Sequence, residues 1–215
     1  MPSTSKPAAD ATAATDHWQQ VYRTRDAAQV SWYRPHLERS LAWITAAAPA
    51  RDARLLDVGG GASTLIDDLL ALGYRRVAVL DLSAAALDIA RERLGSAAGD
   101  VDWRCGDVRT VALEPAAFDV WHDRAVFHFL TAAEDRAAYR RQVEHALKPG
   151  GQLVIATFAL DGPKRCSGLP VVRYDAAGLQ QVFGDGFRLL EQAEERHETP
   201  GGNLQPFTWC RFRRL

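Results

Sequence analysis

Leu55-Leu56-Asp57-Val58-Gly59-Gly60-Gly61-Ala62-Ser63 is the stretch whose reading decides the fold. A short apolar run that stops in consecutive glycines reads as a buried strand entering a tight turn. Glycines at that place let the backbone turn sharply and approach a ligand closely. Residues 65–72 then follow helical spacing, and Gly73 closes them in the C-cap manner. The alternation continues along the chain. Residues 77–82 form a second apolar run, Ser83 caps a helix over 84–94, and 101–104 and 118–122 read as further strands. A long helix over 132–147 ends at Lys148-Pro149-Gly150-Gly151, and 152–158 is a fifth strand. Apolar strands separated by helices imply a parallel sheet covered on both faces.

Outside this unit the pattern changes. After Tyr174, a helix over 175–183 precedes two strands, 187–193 and 206–212, joined through Thr199-Pro200-Gly201-Gly202. Upstream, 16–23 reads as a helix with Asp16 as N-cap, and Leu37, Leu41 and Ile44 give 36–48 helical spacing. Between them stands Ser31-Trp32-Tyr33-Arg34-Pro35, where Pro35 disfavours helix in the residue before it. Residues 1–15, rich in Ala, Thr, Ser and Pro, read as a disordered tail, leaving 16–215 as one domain.

Composition narrows the function classes. A net charge of -1 gives no nucleic-acid footprint. The three cysteines, Cys105, Cys166 and Cys210, are too sparse for a disulfide framework or a zinc ribbon, and no metal site is expected. No stretch has the apolar length of a membrane span, and no Arg precedes Arg23, so a transit peptide is not expected. The expectation is a cytoplasmic protein of undetermined oligomeric state, acting on a small molecule.

A glycine loop alone serves a nicotinamide, a flavin or a mere turn. Four coordinated features sharpen it. Asp57 stands two residues before the first glycine, where it can face a cationic aminoacyl group. Asp81 ends the second strand 24 residues later, where a carboxylate accepts from ribose hydroxyls. Gly106-Asp107-Val108 follows the third strand, where an Asp can meet an adenine amino group. Pro149-Gly150-Gly151 leads into the fifth strand, ahead of the terminal strand pair.

This order resembles the class I S-adenosylmethionine-dependent methyltransferases. The resemblance implies an α/β, Rossmann-like, seven-stranded and mostly parallel sheet with helices on both faces and a terminal antiparallel strand. It implies S-adenosylmethionine as cofactor, with contacts at Asp57, Gly59, Gly61, Asp81, Leu82, Asp107 and Val108, and Trp32 as a lid over them. One departure is Ser63, where the family loop often has a third glycine. A dinucleotide dehydrogenase would instead carry Gly or Ala where Thr64 stands.

The acceptor end draws on three segments. After the fourth strand comes Trp121-His122-Asp123-Arg124-Ala125-Val126-Phe127-His128-Phe129. Here His128 is either a packed core histidine or a base, and Asp123 and Arg124 either pair with each other or act on the acceptor. Candidate acceptor contacts are Tyr33, Phe127, Phe158, Cys166 and Arg173, with His128, Arg124 and Asp123 as catalytic candidates. His197 reads as a surface residue. Two narrower resemblances compete. Trp18, Tyr22, Trp32-Tyr33 and Leu72-Gly73-Tyr74 look like lysine methyltransferases acting on elongation factors or citrate synthase. His122-Asp123-Arg124 with Cys166-Ser167-Gly168-Leu169-Pro170 resembles bacterial small-molecule methyltransferases, some similar to enzymes that S-methylate hydrogen sulfide and methanethiol. A thiol, ionised in part at neutral pH, needs less help than a lysine whose pKa is about 10.4. A small acceptor, with a thiol favoured, is therefore the expectation; lysine methylation and cofactor binding without methyl transfer are the alternatives.

Overall fold

In the computed structural model, which describes residues 7–215, helices α1 (Pro7–Thr24) and α2 (Glu38–Ala47) precede the alternating unit. That unit runs β1 (Arg54–Val58), α3 (Leu65–Ala71), β2 (Arg76–Asp81), α4 (Ala84–Leu94), β3 (Val101–Cys105), β4 (Phe118–Arg124), α5 (Ala133–Ala146) and β5 (Leu147–Phe158). A small hairpin, β6 (Arg165–Cys166) and β7 (Leu169–Pro170), leads to α6 (Ala176–Phe183), β8 (Phe187–Glu198) and β9 (Leu204–Arg214).

The main sheet has the order β3-β2-β1-β4-β5-β9-β8. Its first five strands are parallel, and β9 lies antiparallel to both β5 and β8. This is the Rossmann-like sheet expected from the sequence, with its antiparallel strand inserted one place from the edge. The order reverses between β1 and β4, and in open α/β sheets ligands bind beyond the strand ends at such a switch point.

Strand alternation divides the core in two. Leu56, Val58, Ala78, Leu80, Trp121 and Ile155 pack with α5 and α6 on one face. Leu55, Val77, Val79, Val120, Val154 and Ala156 pack with α2, α3 and α4 on the other. Each Leu, Val or Ile among them contributes about 1.5–3 kcal/mol by leaving water, and the two-sided burial explains the uninterrupted apolar runs.

Two expectations need correction. Helix α1 begins at Pro7, so residues 7–15 of the expected tail are helical, while residues 1–6 lie outside the described residues. Ala8, Ala9, Ala11, Ala13 and Ala14 carry the best helix propensity, and Pro7 suits a first helical turn. Lys148-Pro149-Gly150-Gly151, read as a turn, belongs to an irregular start of β5, with a register shift against β4 between Phe118 and Val120.

Candidate cofactor and acceptor site

The loop after β1 is closed on itself by packing that admits no side chain. Gly59 has φ +70°, and a Cβ there would stand 2.0 Å from Val126 Cγ2. At Gly61 a Cβ would stand 2.6 Å from Asp81 Oδ2. The loop therefore brings its own backbone against the carboxylate that ends β2.

Asp57 and Asp81 are both buried beside that loop. Asp57 Oδ1 lies 2.7 Å from His122 Nδ1, and His122 Nε2 lies 3.0 Å from Ser40 Oγ. With Asp57 ionised, Nδ1 carries the proton and Nε2 accepts from the Ser40 hydroxyl. Asp81 Oδ1 accepts from Ser83 N at 2.8 Å. Burial pushes the Asp81 carboxyl up to about 7, against the pull of its backbone hydrogen bonds and with a further push from Asp57. Two carboxylates around an open glycine turn suit a ligand with a cationic end and vicinal hydroxyls, so the residues present fit S-adenosylmethionine.

The expected adenine contact is differently engaged. Asp107 accepts from Arg109 Nε at 2.9 Å and Nη2 at 2.5 Å, and Arg109 Nη1 reaches Asp135 at 2.5 Å. Its carboxylate is thus paired with an Arg two residues on. The Val108 side chain is buried in the hydrophobic core. Leu82 accepts at its carbonyl from Cys105 Sγ at 3.7 Å, at the edge of the same site.

A cavity opens beside the loop, lined by Trp32, Tyr33, Asp57, Gly59, His122 and Arg124 among others. The aromatic segment forms part of its wall. Trp32 Nε1 donates to Tyr22 Oη at 3.2 Å, and the Trp18 ring meets both Trp32 and Phe129 edge-on. Helix α1 is pinned over the site because Gln19 Oε1 accepts from Ser83 Oγ at 2.9 Å and Ala85 N at 3.0 Å. His197, read as a surface residue, is fully buried, and its Nε2 lies 2.7 Å from Ser31 O, anchoring that wall to β8.

The acceptor candidates separate by strand parity. Along β4, His122 and Arg124 point toward the cavity, whereas Asp123 points to the opposite face. There Asp123 accepts from Tyr139 Oη at 2.6 Å, Val126 N at 2.9 Å and Phe127 N at 3.1 Å. That carboxylate braces the turn after β4, and the catalytic role expected for it does not fit. Phe127 packs against Tyr139, Tyr174 and Phe183 in the core, away from the cavity. Arg173 donates to Leu160 O and to Gly162 O at 3.1 Å, so it straps the loop after β5, and it stands outside the cavity lining.

Four candidates remain beside Arg124: Tyr33 lines the same cavity, whereas His128, Phe158 and Cys166 are buried outside its lining. His128 is fully buried between Phe129 and Phe158, its Nδ1 3.4 Å from Phe158 N and its Nε2 without a partner. Burial, with Arg124 adding to it, lowers its pKa to about 3, so His128 is neutral. Phe158 packs between His128, tilted to it, and Phe207, edge-on to it. Cys166 is buried, and desolvation pushes its thiol up to about 12. Sequence reasoning missed His122 and Ser40. The alternation that places Arg124 in the cavity also places His122 there, and His122 sits in register with Asp57 across β1 and β4.

Residues 56–155 match the family described as methyltransferase domain. A zebrafish (Danio rerio) eEF1A lysine and N-terminal methyltransferase is 26% identical over 149 residues, covering 68% of this chain and 21% of that protein. A ubiquinone biosynthesis O-methyltransferase of Xylella fastidiosa is 31% identical over 137 residues, covering 59% of this chain and 54% of that protein. This chain therefore spans about a fifth to a half of the length of these curated relatives. The Burkholderia thailandensis 1,6-didemethyltoxoflavin-N1-methyltransferase, solved with S-adenosylhomocysteine, superposes with a TM-score of 0.72 at 20% identity, covering 100% of this chain and 93% of that one. Residues 56–155 thus resemble a methyltransferase domain, and the chain shares the Rossmann-like fold of that Burkholderia enzyme, with carboxylates and a glycine turn that suit S-adenosylmethionine.

Proposed function

We propose that the chain is an S-adenosylmethionine-dependent methyltransferase for a small acceptor, with a thiol such as hydrogen sulfide or methanethiol favoured. The bound cofactor supplies an electrophilic sulfonium methyl group. Asp81 accepts from the ribose hydroxyls, Asp57 faces the ammonium end, and His122 with Ser40 holds Asp57 in place. Trp32 and Tyr33 exclude water and bring the acceptor into line.

The observation that carries this reading is the composition of the cavity wall. It supplies no free base among the described residues. Asp57 is tied to His122, and desolvation raises the Tyr22 hydroxyl above its ordinary value. The acceptor must then arrive ionised or give up its proton readily. A thiol near pKa 8.5 meets that demand about 100-fold better than a lysine near 10.4. The pinned α1 roof also favours a small acceptor over a protein side chain reaching in from a groove. The Xylella relative, named for small-molecule O-methylation, is consistent with an acceptor of that size.

The test uses methyl-labelled cofactor, purified protein, and cell extract supplemented with sulfide and methanethiol. Headspace, small-molecule and protein fractions are counted separately. Label in the headspace is the expected result. Label confined to protein overturns the reading in favour of lysine methylation.

A further inference from the structure

Around Arg124 the chain has gathered positive charge and no matching carboxylate. Arg124 Nη1 donates to Trp32 O at 3.0 Å, and its guanidinium lies 5.1 Å from the Phe207 ring centroid. Those contacts fix the plane of the fork. Nη2 is buried and has no partner. Glu195, whose charge reaches Arg124, is already engaged by Arg34 at 2.9 Å and Arg39 at 3.3 Å. Among the described residues, no carboxylate lies within 4.0 Å of Arg124, whereas Arg34 draws on Glu38 at 4.0 Å as well as on Glu195.

The neighbouring titratable groups do not offset this charge. Cys166 stays a thiol and His128 stays neutral, each under the influence of Arg124. Desolvation lowers Arg124 itself to about 10, which still leaves it charged at neutral pH. A buried, hydrogen-bonding cation without a counterion is costly unless a ligand supplies one. The free nitrogen belongs to a side chain that lines the same cavity as the glycine loop.

We infer that Arg124 is a substrate-binding residue that receives the acceptor as a small anion, through its free Nη2, next to the methyl donor. This rests on the reading of the cavity as an acceptor pocket and names the charge state it selects. Hydrosulfide or a thiolate satisfies the site; the neutral thiol or thioether formed from it does not, so the product loses its anchor as it forms.

The experiment separates binding from turnover. Protein saturated with S-adenosylhomocysteine is titrated calorimetrically with thiocyanate, a small sulfur anion, and with neutral methyl thiocyanate. Wild type, Arg124→Met and Arg124→Lys are compared. Thiocyanate affinity is expected to fall at least tenfold in Arg124→Met. A smaller loss is expected in Arg124→Lys, which keeps the charge but not the fork. Affinity for S-adenosylhomocysteine should stay within about threefold in both, which also reports that the variants are folded, and methyl thiocyanate should not distinguish the three proteins. Equal thiocyanate binding by wild type and Arg124→Met overturns the inference. So does a parallel loss of S-adenosylhomocysteine in both variants, which would make Arg124 a cofactor or scaffold residue. A protein that binds thiocyanate through Arg124 yet gives no headspace label keeps the anion site and loses the thiol reading.

Discussion

Replacing Asp81 by Asn should make the empty protein more stable and the cofactor site useless. The Asp81 carboxyl stands at about 7 against an ordinary 3.8, chiefly through desolvation. At 1.36 kcal/mol per tenfold change in acidity, ionising it in the fold costs about 4 kcal/mol at neutral pH. Asn removes that cost and keeps the bond from Ser83 N to Oδ1. Its NH2 group cannot accept from Gly61 and Leu82, whose backbone bonds now steady the carboxylate, and that loss returns roughly 2 kcal/mol. The net gain is about 2 kcal/mol, or roughly 4–8 °C in Tm for a chain of this size. Its pH dependence has a definite sign. Between pH 3.8 and 7 the native carboxyl holds a proton that the unfolded chain has released, so wild-type stability falls as pH rises through that interval. The variant should therefore melt above wild type at pH 8 and at or below it near pH 4. Calorimetric affinity for S-adenosylhomocysteine should meanwhile drop more than 100-fold, the equivalent of two lost charge-assisted bonds of about 1.5 kcal/mol each. A variant that melts lower than wild type at pH 8, or binds with near-normal affinity, refutes the reasoning.

Two further outcomes follow from the same geometry. Gly59→Ala forces a Cβ into Val126 at φ +70°, so urea unfolding should show a loss of about 2 kcal/mol or more together with weakened cofactor binding; an unperturbed variant would mean that the loop yields freely. Asp123→Ala leaves Val126 N, Phe127 N and Tyr139 Oη unsatisfied in the interior and should cost about 3 kcal/mol in stability. Normal stability with abolished turnover would return Asp123 to the catalytic group.

The parts of the site that were legible in the sequence are those fixed by one strand and the turn after it. Asp57 with its glycines and Asp81 at the end of β2 are of this kind, since burial and strand ends are local properties. Contacts that depend on how two elements meet were not legible. His122 reaches Asp57 through the parallel register of β1 and β4, and Ser40 joins them from a helix 82 residues upstream of His122. Asp123 and Arg124 are neighbours in sequence, but strand pleating sends them to opposite faces, so grouping them in one role was wrong on period alone. Arg173 and Asp107 were read by residue type as ligand contacts, and each is satisfied within its own loop or by a near neighbour.

The placement of β9 also governs when the sheet can be finished. In the chain β8 comes before β9, yet in the sheet it touches β5 only through β9. While the polypeptide is being synthesised, β5 and β8 each present an open row of amides and carbonyls until residues 204–214 emerge and slot between them. Closure of the barrier between two waiting edges is a late, long-range event, the kind that sets folding rate and exposes a chain to self-association. The aromatic wall of the cavity inherits that delay, because His197 on β8 is what holds Ser31 and so the segment carrying Trp32. A nascent chain can thus shape the glycine turn early, while its acceptor chamber is among the last features to close.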